Sequence, residues 1–203
     1  MSKKYELVVD DTITFWGWKL FRIRALISFG SVDAGDLGGY IYTEDNLSQK
    51  GDAWVSGDAK VWGNAKVSGD AKVSGNAEVS GNAKVSGDAE VWGNAEVWGN
   101  AKVWGNAKVW GNAEVSGDAE VWGNAEVSGD AKVSDFEDVI VFKNHWSSGR
   151  HFTYTKSNKM WRVGCFYGTG QELIDKAYRD SEKSGNFYKA YVEFIASLEG
   201  LGE

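Results

Sequence analysis

The sequence has no proline, a single cysteine and only two histidines. One cysteine excludes a disulfide framework and a zinc site built from four cysteines. Acidic residues outnumber basic ones by 29 to 22, and the net charge of −7 disfavours a direct nucleic-acid binder. There is no basic segment followed by an apolar run, as in a signal peptide, and no apolar run approaches the roughly 18 residues of a membrane span. We therefore expect a soluble cytoplasmic protein with no direct contact to membranes or nucleic acid.

A repeat of six residues dominates the sequence. From Gly51 to Ser134 each unit reads Val, Trp or Ser, Gly, Asp or Asn, Ala, and Lys or Glu, and valine recurs fourteen times, from Val55 to Val133. Such a fixed period indicates the fold class before any other pattern does. Six residues do not keep an apolar stripe on one side of a helix, and the recurring glycine also opposes helix formation.

Each hexad instead predicts one short strand and one corner. In the Ala-x-Val triplet, alanine and valine point to one side and Lys or Glu to the other. Gly-Asp or Gly-Asn then turns the chain, because both residue types tolerate positive φ. One hexad cannot bury its valine and alanine, but stacked coils can, and each strand then pairs with the coils above and below. The absence of proline suits strands that are paired on both sides.

The Val-(Trp/Ser)-Gly-(Asp/Asn)-Ala-(Lys/Glu) unit resembles the hexapeptide repeat of left-handed parallel β-helices. The resemblance implies an all-β solenoid with three hexads, about 18 residues, per coil, and four to five coils in the array. The charges do not establish this coil length. Lys72, Glu90, Lys108 and Glu126 alternate in sign at a spacing of 18, but across the array opposite signs are about as frequent at a spacing of 12.

The segments on either side of the array do not repeat. We divide the chain into an N-terminal β cap (1–50), the hexad array (51–134) and a C-terminal α+β cap (135–203). Caps are expected, because an open solenoid end is an exposed sheet edge.

In the N-terminal cap a hairpin is predicted with its turn at Asp10-Asp11, followed by a strand over 21–25. Three glycines indicate a loop: Gly35, Gly38 and Gly39. Leu47 stands where the repeat would place alanine, so the solenoid is expected to begin there.

In the C-terminal cap, strands are predicted over 139–142 and 151–166. Thr169 and Glu172 form a capping-box pattern that opens a helix, and Gly185-Asn186 is expected to end it. A second, amphipathic helix is predicted from apolar residues at helical spacing: Phe187, Tyr191, Phe194, Ile195 and Leu198.

The flanks also resemble known proteins. The segments 35–40 and 46–53 are similar to the lead-in of hexapeptide-repeat proteins of phage and prophage genomes, and the segment 163–169 with two following helices is similar to their tail. The resemblance implies a phage or mobile-element origin, and hence the cytoplasm of a host, without implying one activity.

The resemblance to hexapeptide-repeat enzymes implies no catalytic site that this chain can fill. Acyltransferases of that fold place a catalytic histidine in a coil, and the carbonic anhydrases use three histidine ligands for zinc. No histidine lies between 51 and 134, so we expect no enzyme, metal or cofactor, and a transferase is the less favoured alternative. His145 and His151 are expected at the surface or hydrogen-bonded, and Cys165 is expected to be a buried, inert thiol.

Tryptophan is the most suggestive residue type. Seven of the eleven tryptophans lie in the array, and six share one outward hexad position: Trp62, Trp92, Trp98, Trp104, Trp110 and Trp122. Coils of 18 residues would stack Trp92 over Trp110 and Trp104 over Trp122. Exposed, aligned indoles favour a protein interface or a stacking platform for bases or sugars. Recent duplication and drift of the repeat would produce the same pattern.

Two hypotheses of function follow. The first is a non-catalytic binding or structural protein, phage-related, that acts through its solenoid faces as a homo-oligomer; trimers are what the resemblance implies. The second is a counter-defence protein that occludes a host protein or sequesters a nucleotide, with tryptophans for base stacking and Lys102 and Lys108 for phosphate contact.

Overall fold

The computed structural model describes residues 3–201. At its centre is a solenoid of stacked parallel β-coils. Antiparallel strands precede the solenoid, and an antiparallel sheet with two helices follows it. Both helices of the described part are too short or too polar to cross a membrane.

The N-terminal strands are β1 (Tyr5–Phe15), β2 (Trp18–Ala25) and β3 (Leu37–Ile41). Fourteen strands of two residues follow: β4 (Trp54–Val55), β5 (Lys60–Val61), β6 (Lys66–Val67), β7 (Lys72–Val73), β8 (Glu78–Val79), β9 (Lys84–Val85), β10 (Glu90–Val91), β11 (Glu96–Val97), β12 (Lys102–Val103), β13 (Lys108–Val109), β14 (Glu114–Val115), β15 (Glu120–Val121), β16 (Glu126–Val127) and β17 (Lys132–Val133). The C-terminal cap contains β18 (Val139–Lys143), β19 (His151–Thr155), β20 (Met160–Val163), β21 (Phe166–Thr169), α1 (Gly170–Asp180) and α2 (Glu182–Glu199).

The coils have three faces, which we number in the order in which the chain visits them. The first face holds β3, β5, β8, β11, β14 and β17, the second β6, β9, β12 and β15, and the third β4, β7, β10, β13 and β16. Val73 pairs with Val91, and Val91 with Val109, so the coil of 18 residues is confirmed. We call the turn after each face the first, second or third corner.

Valine and alanine fill the interior, as the repeat predicts. Every alanine from Ala53 to Ala131 and every valine from Val55 to Val133 is at most 1% exposed. Burial of one valine contributes about 1.5–3 kcal/mol before the loss of chain entropy is counted. The solenoid is therefore held by a continuous apolar column, to which each hexad adds one valine and one alanine.

Backbone hydrogen bonds join each coil to the next. In most hexads the N–H groups at the Lys/Glu, Trp/Ser and Asp/Asn positions donate to the following coil, as from Lys72 to Ala89 over 2.9 Å. The N-terminal end of the solenoid is consequently rich in carbonyl groups without a preceding coil. The C-terminal end is rich in N–H groups without a following one.

The caps supply the missing partners. At the N-terminal end Asn46 Nδ2 donates to the carbonyls of Gly63 and Ala65 at 3.1 and 2.8 Å, and Lys4 Nζ donates to those of Gly51 and Ala53 at 3.1 and 2.8 Å. At the C-terminal end, three side-chain oxygens accept from N–H groups of the last coil. They belong to Thr153, Ser157 and Asp138, and they accept from Glu126, Lys132 and Ser134.

Asparagine side chains at two corners form ladders along the solenoid. One ladder runs Asn64, Asn82, Asn100 and Asp118, and the other runs Asn76, Asn94, Asn112 and Asp130, with hydrogen bonds of 2.9–3.2 Å. Each amide donates to the next coil and accepts from the previous one. A carboxylate only accepts, and so aspartate ends each ladder.

The predicted hairpin turn at Asp10-Asp11 is wrong. β1 continues through these residues with a register shift between Val8 and Thr12, and pairs with β2 up to its last residue. The turn lies at Trp16 and Gly17, where both φ angles are positive (50° and 81°), as a tight hairpin turn requires. The strand predicted over 21–25 is confirmed as part of β2.

Two further N-terminal predictions need correction. Gly38 and Gly39 lie in β3 and not in a loop, because a Cβ at Gly38 would come within 2.5 Å of Ile23 and of the Val55 carbonyl. Leu47 does not take an alanine position, since it pairs with Val67 in the valine column of the second face. Ile41 already pairs with Val61, so the first coil starts before Leu47.

In the C-terminal cap the segment predicted as one strand over 151–166 forms β19, β20 and the start of β21, joined by tight turns. The capping box of Thr169 and Glu172 is confirmed. α1 ends at Asp180 and not at Gly185-Asn186, because the Ser181 side chain accepts from Ser184 N–H and begins α2. The second helix is confirmed, although Phe194 and Leu198 remain exposed.

Close stacking of the coils predicts unequal effects of alanine at two corner glycines. Gly69 and Gly123 have similar φ values, +69° and +66°. A Cβ at Gly69 would lie 2.9 Å from the Gly87 nitrogen of the next coil, whereas one at Gly123 meets no described atom within 4 Å. We expect Gly123→Ala to cost about 1–2 kcal/mol for its backbone conformation. Gly69→Ala should cost about 1–3 kcal/mol more for the clash, measured by urea unfolding. Equal losses would contradict the spacing of the coils.

Lys4 predicts a pH dependence of stability. Burial lowers the pKa of its ammonium group to about 8, against 10.5 in the unfolded chain, although Asp52 and Asp70 partly offset this effect. Between these values the unfolded state binds more protons, so the contribution of Lys4 to stability should rise from pH 8 to pH 10. The measurement is the difference in free energy of unfolding between the wild type and Lys4→Met at each pH. A difference that stays flat over this interval would contradict the lowered pKa.

Candidate functional site

The coil divides the six array tryptophans among three corners. Trp62 and Trp98 lie at the first corner with Ser80 between them in the stack. The second corner holds Trp104 and Trp122, and the third holds Trp92 and Trp110. They therefore form two stacked pairs and two separate residues, and not one continuous surface.

Both predicted stacks are confirmed. The rings of Trp92 and Trp110 are 4.8 Å apart and within 3° of parallel, and those of Trp104 and Trp122 are 5.7 Å apart and within 14°. Trp62 has a different environment, because Phe15 of the N-terminal hairpin packs on it with an edge-to-face contact of 5.3 Å.

The C-terminal cap is fastened over the end of the third face. The Arg162 guanidinium lies 4.9 Å above the ring of Trp110, and its Nε is 3.3 Å from a carboxylate oxygen of Glu126. The Thr153 hydroxyl accepts from Glu126 N–H at 3.0 Å, and the Tyr167 hydroxyl donates to the Ser128 carbonyl at 3.2 Å. The cap thus brings β20 beside the stacked Trp92 and Trp110.

An open cleft of about 560 Å³ lies between the third face and the cap, and we call it the third-face cleft. Its aromatic wall is the Trp92–Trp110 stack. Its polar lining includes three strong cations, one histidine and one carboxylate: Lys108, Arg150, Arg162, His151 and Glu126. The positive charges outnumber the carboxylate, so the cleft favours an anion with a flat apolar part.

The cations of the cleft differ in how they are neutralised. Lys108 pairs with Glu90 at 3.6 Å, and Arg162 pairs with Glu126. Arg150 makes no ion pair with any residue of 3–201 and is exposed. It is therefore the cation most available to a ligand.

Lys102, predicted together with Lys108, lies on the second face and not in the cleft. Its Nζ donates to Glu120 over 2.7 Å, and this hydrogen bond, with the Glu120 charge, raises the pKa of the ammonium group. The two lysines named as phosphate contacts are therefore separated by a corner of the solenoid.

A second groove, of about 390 Å³, lies at the second corner. It is mainly apolar, with Trp122, Phe136, Val139 and Val141 in its lining. Trp122 is 58% exposed and Phe136 67%. His151 borders this groove as well as the third-face cleft.

The remaining reactive groups lie at the surface. His145 is exposed and contacts the rings of Trp146 and Phe187. Cys165 is exposed, which corrects the prediction of a buried thiol: Gly164 and Cys165 form the two-residue turn between β20 and β21. Within residues 3–201 no three His, Cys, Asp or Glu side chains are grouped so as to hold a metal ion.

Sequence reasoning did not identify Arg150 and Arg162 as cleft residues. They are far from the array along the chain, and only folding of the cap brings them to Trp92 and Trp110. A partial signal existed at Trp161-Arg162, where strand alternation turns the indole into the cap core and the guanidinium towards the solenoid.

The exposed turn predicts the reactivity of Cys165. In the native protein one thiol per chain should react with DTNB at about the rate of a small free thiol, and urea should change that rate little. Cys165→Ser should abolish the reaction. A thiol that reacts only after unfolding would contradict its position in the turn.

No protein-family model matches the chain, and a search of curated proteins finds none that is similar to it. Its function therefore has to be inferred from its own residues.

Proposed function

We propose that the protein is a non-catalytic binding protein whose third-face cleft takes an anionic ligand with a flat aromatic group, of the nucleotide class. The observation that carries this proposal is the Trp92–Trp110 stack beside Lys108, Arg150 and Arg162. The proposal assigns binding and orienting roles to these groups and no catalytic step.

The chemistry of the lining matches the two parts of a nucleotide. Contact between a base and an aromatic side chain contributes about 1–3 kcal/mol per base. A guanidinium binds phosphate oxygens with two parallel hydrogen bonds, and Arg150 is the cation without an ion pair in the described part of the chain. Trp92 and Trp110 are the candidate base contacts, and Arg150 and Lys108 the candidate phosphate contacts.

A phage or prophage origin, and residence in a host cytoplasm, belong to the same proposal. They are supported by the resemblance of the segments 35–40, 46–53 and 163–169 to phage hexapeptide-repeat proteins. Capture of a nucleotide signal would then serve counter-defence. Occlusion of a host protein is the alternative, and the exposed groove of Trp122 and Phe136 supports it.

A transferase of the hexapeptide-repeat class is a weaker candidate. The array contains no histidine in which such an enzyme could place its catalytic base. His151 lines the third-face cleft, but the residues around it supply cations and indoles.

The two tryptophan stacks provide a matched test of the nucleotide proposal. ATP, GTP, cyclic AMP and inorganic pyrophosphate would be titrated while tryptophan fluorescence and melting temperature are followed. We expect a nucleotide to quench fluorescence and to raise the melting temperature, because a ligand stabilises the state that it binds. The double variant W92S/W110S should weaken binding about tenfold or more, and Arg150→Ala about tenfold.

The control is W104S/W122S, which removes an equal number of stacked indoles from the other corner. It should leave nucleotide affinity unchanged, and serine already occupies this hexad position in several coils. Equal losses in both double variants, or the absence of any nucleotide effect on the wild type, would overturn the proposal. Binding of pyrophosphate as tight as that of nucleotides would remove the role assigned to the indoles.

A further inference from the structure

The outward charges are sorted by face. On the second face three lysines are followed by a glutamate, and we call Lys66, Lys84, Lys102 and Glu120 the lysine row. On the first face three glutamates are followed by a lysine, and we call Glu78, Glu96, Glu114 and Lys132 the glutamate row. The third face alternates instead, with the order Lys72, Glu90, Lys108 and Glu126.

Neither row is neutralised within one copy of the chain. Adjacent strands lie about 4.8 Å apart, so like charges in neighbouring coils repel each other. Ion pairs at the row ends relieve part of this repulsion, but three members have no ion pair among residues 3–201: Lys66, Lys84 and Glu96. The pKa of Glu78 is raised, mainly by burial and further by Glu96, although Lys60 acts against this shift.

The two rows match each other in the order of their charges. If two copies lie side by side with parallel axes and a shift of about two thirds of a coil, or about 3 Å, opposite charges meet at every position. The four pairs would be Lys66 with Glu78, Lys84 with Glu96, Lys102 with Glu114, and Glu120 with Lys132. We propose that the lysine row of one copy binds the glutamate row of a second copy of this chain.

The neighbouring groups support an interface at these two faces. Trp104 borders the second face and is 42% exposed, and Trp16 of the hairpin tip, 81% exposed, borders the same notch as Glu78 and Glu96. Exposed tryptophans are frequent anchors of protein interfaces. The third face is less available, because the C-terminal cap covers its end through Arg162 and Glu126.

The charge order favours a second copy over a polyanion as the partner. A nucleic acid would use the lysine row alone and would leave the glutamate row without a role, whereas self-association uses both. The two copies contact each other through different surfaces, so the contact leaves one row free on each copy. Such contacts extend to rings or open filaments. This surface is separate from the third-face cleft and does not depend on the proposed ligand.

Charge reversal tests the contact. The variants K66E/K84E/K102E and E78K/E96K/E114K each give both rows the same sign, so each alone should be monomeric. Mixed in equal amounts they regain opposite rows, and the complex should return. Light scattering coupled to gel filtration at low salt gives the mass, and about 0.5 M NaCl should shift the wild type towards monomer. Each triple variant should weaken self-association about tenfold or more.

Lys84→Glu and Glu96→Lys are the second pair of variants, in case the triple reversals do not fold. Both side chains are exposed and face each other in the proposed contact, so mixing these single variants should also restore association. A monomeric wild type at all concentrations, reversed variants that still associate, or mixtures that stay monomeric would each overturn the proposal. A wild type that is monomeric but binds a dT30 oligonucleotide through the lysine row would assign that face to nucleic acid instead.

Discussion

The fold depends on the alignment of each coil with the next, through backbone hydrogen bonds at three positions of most hexads. This alignment gives the solenoid a direction, with carbonyl groups in excess at one end and N–H groups at the other. The caps follow from it. Lys4 and Asn46 donate at the carbonyl-rich end, and Thr153 and Ser157 accept at the N–H-rich end. The same direction governs the asparagine ladders, which end where aspartate can only accept.

The stacking of identical positions has a second effect, because it converts spacing along the chain into columns on the surface. Residues 18 apart become neighbours, so a choice between tryptophan and serine, or between lysine and glutamate, is read along a column. Two indole stacks, one lysine row and one glutamate row result, each at its own corner or face. The interior hardly varies. The binding properties of the molecule therefore reside in three outward positions of each hexad.

The repeat was sufficient to predict the solenoid, its buried valine and alanine columns and both indole stacks, because period and side-chain alternation alone determine them. It was not sufficient for the ends. Leu47 was misplaced because the first coil contains two extra residues before Val55, which a strict count of six does not accommodate. The Asp10-Asp11 turn failed because a register shift absorbs these residues within a strand. Arg150 and Arg162 could not be assigned to the cleft, since their position depends on how the cap docks on the third face.

The three-sided coil restricts how such a chain can change in length. An insertion of 18 residues adds one complete coil, and every downstream column keeps its face. An insertion of one hexad rotates everything after it by one side of the triangle. Trp110 would then leave the Trp92 column, and the C-terminal cap would dock over a different face. Expansion of the repeat by duplication therefore preserves the surface only in whole coils, while partial steps create new combinations of face and cap from the same residues.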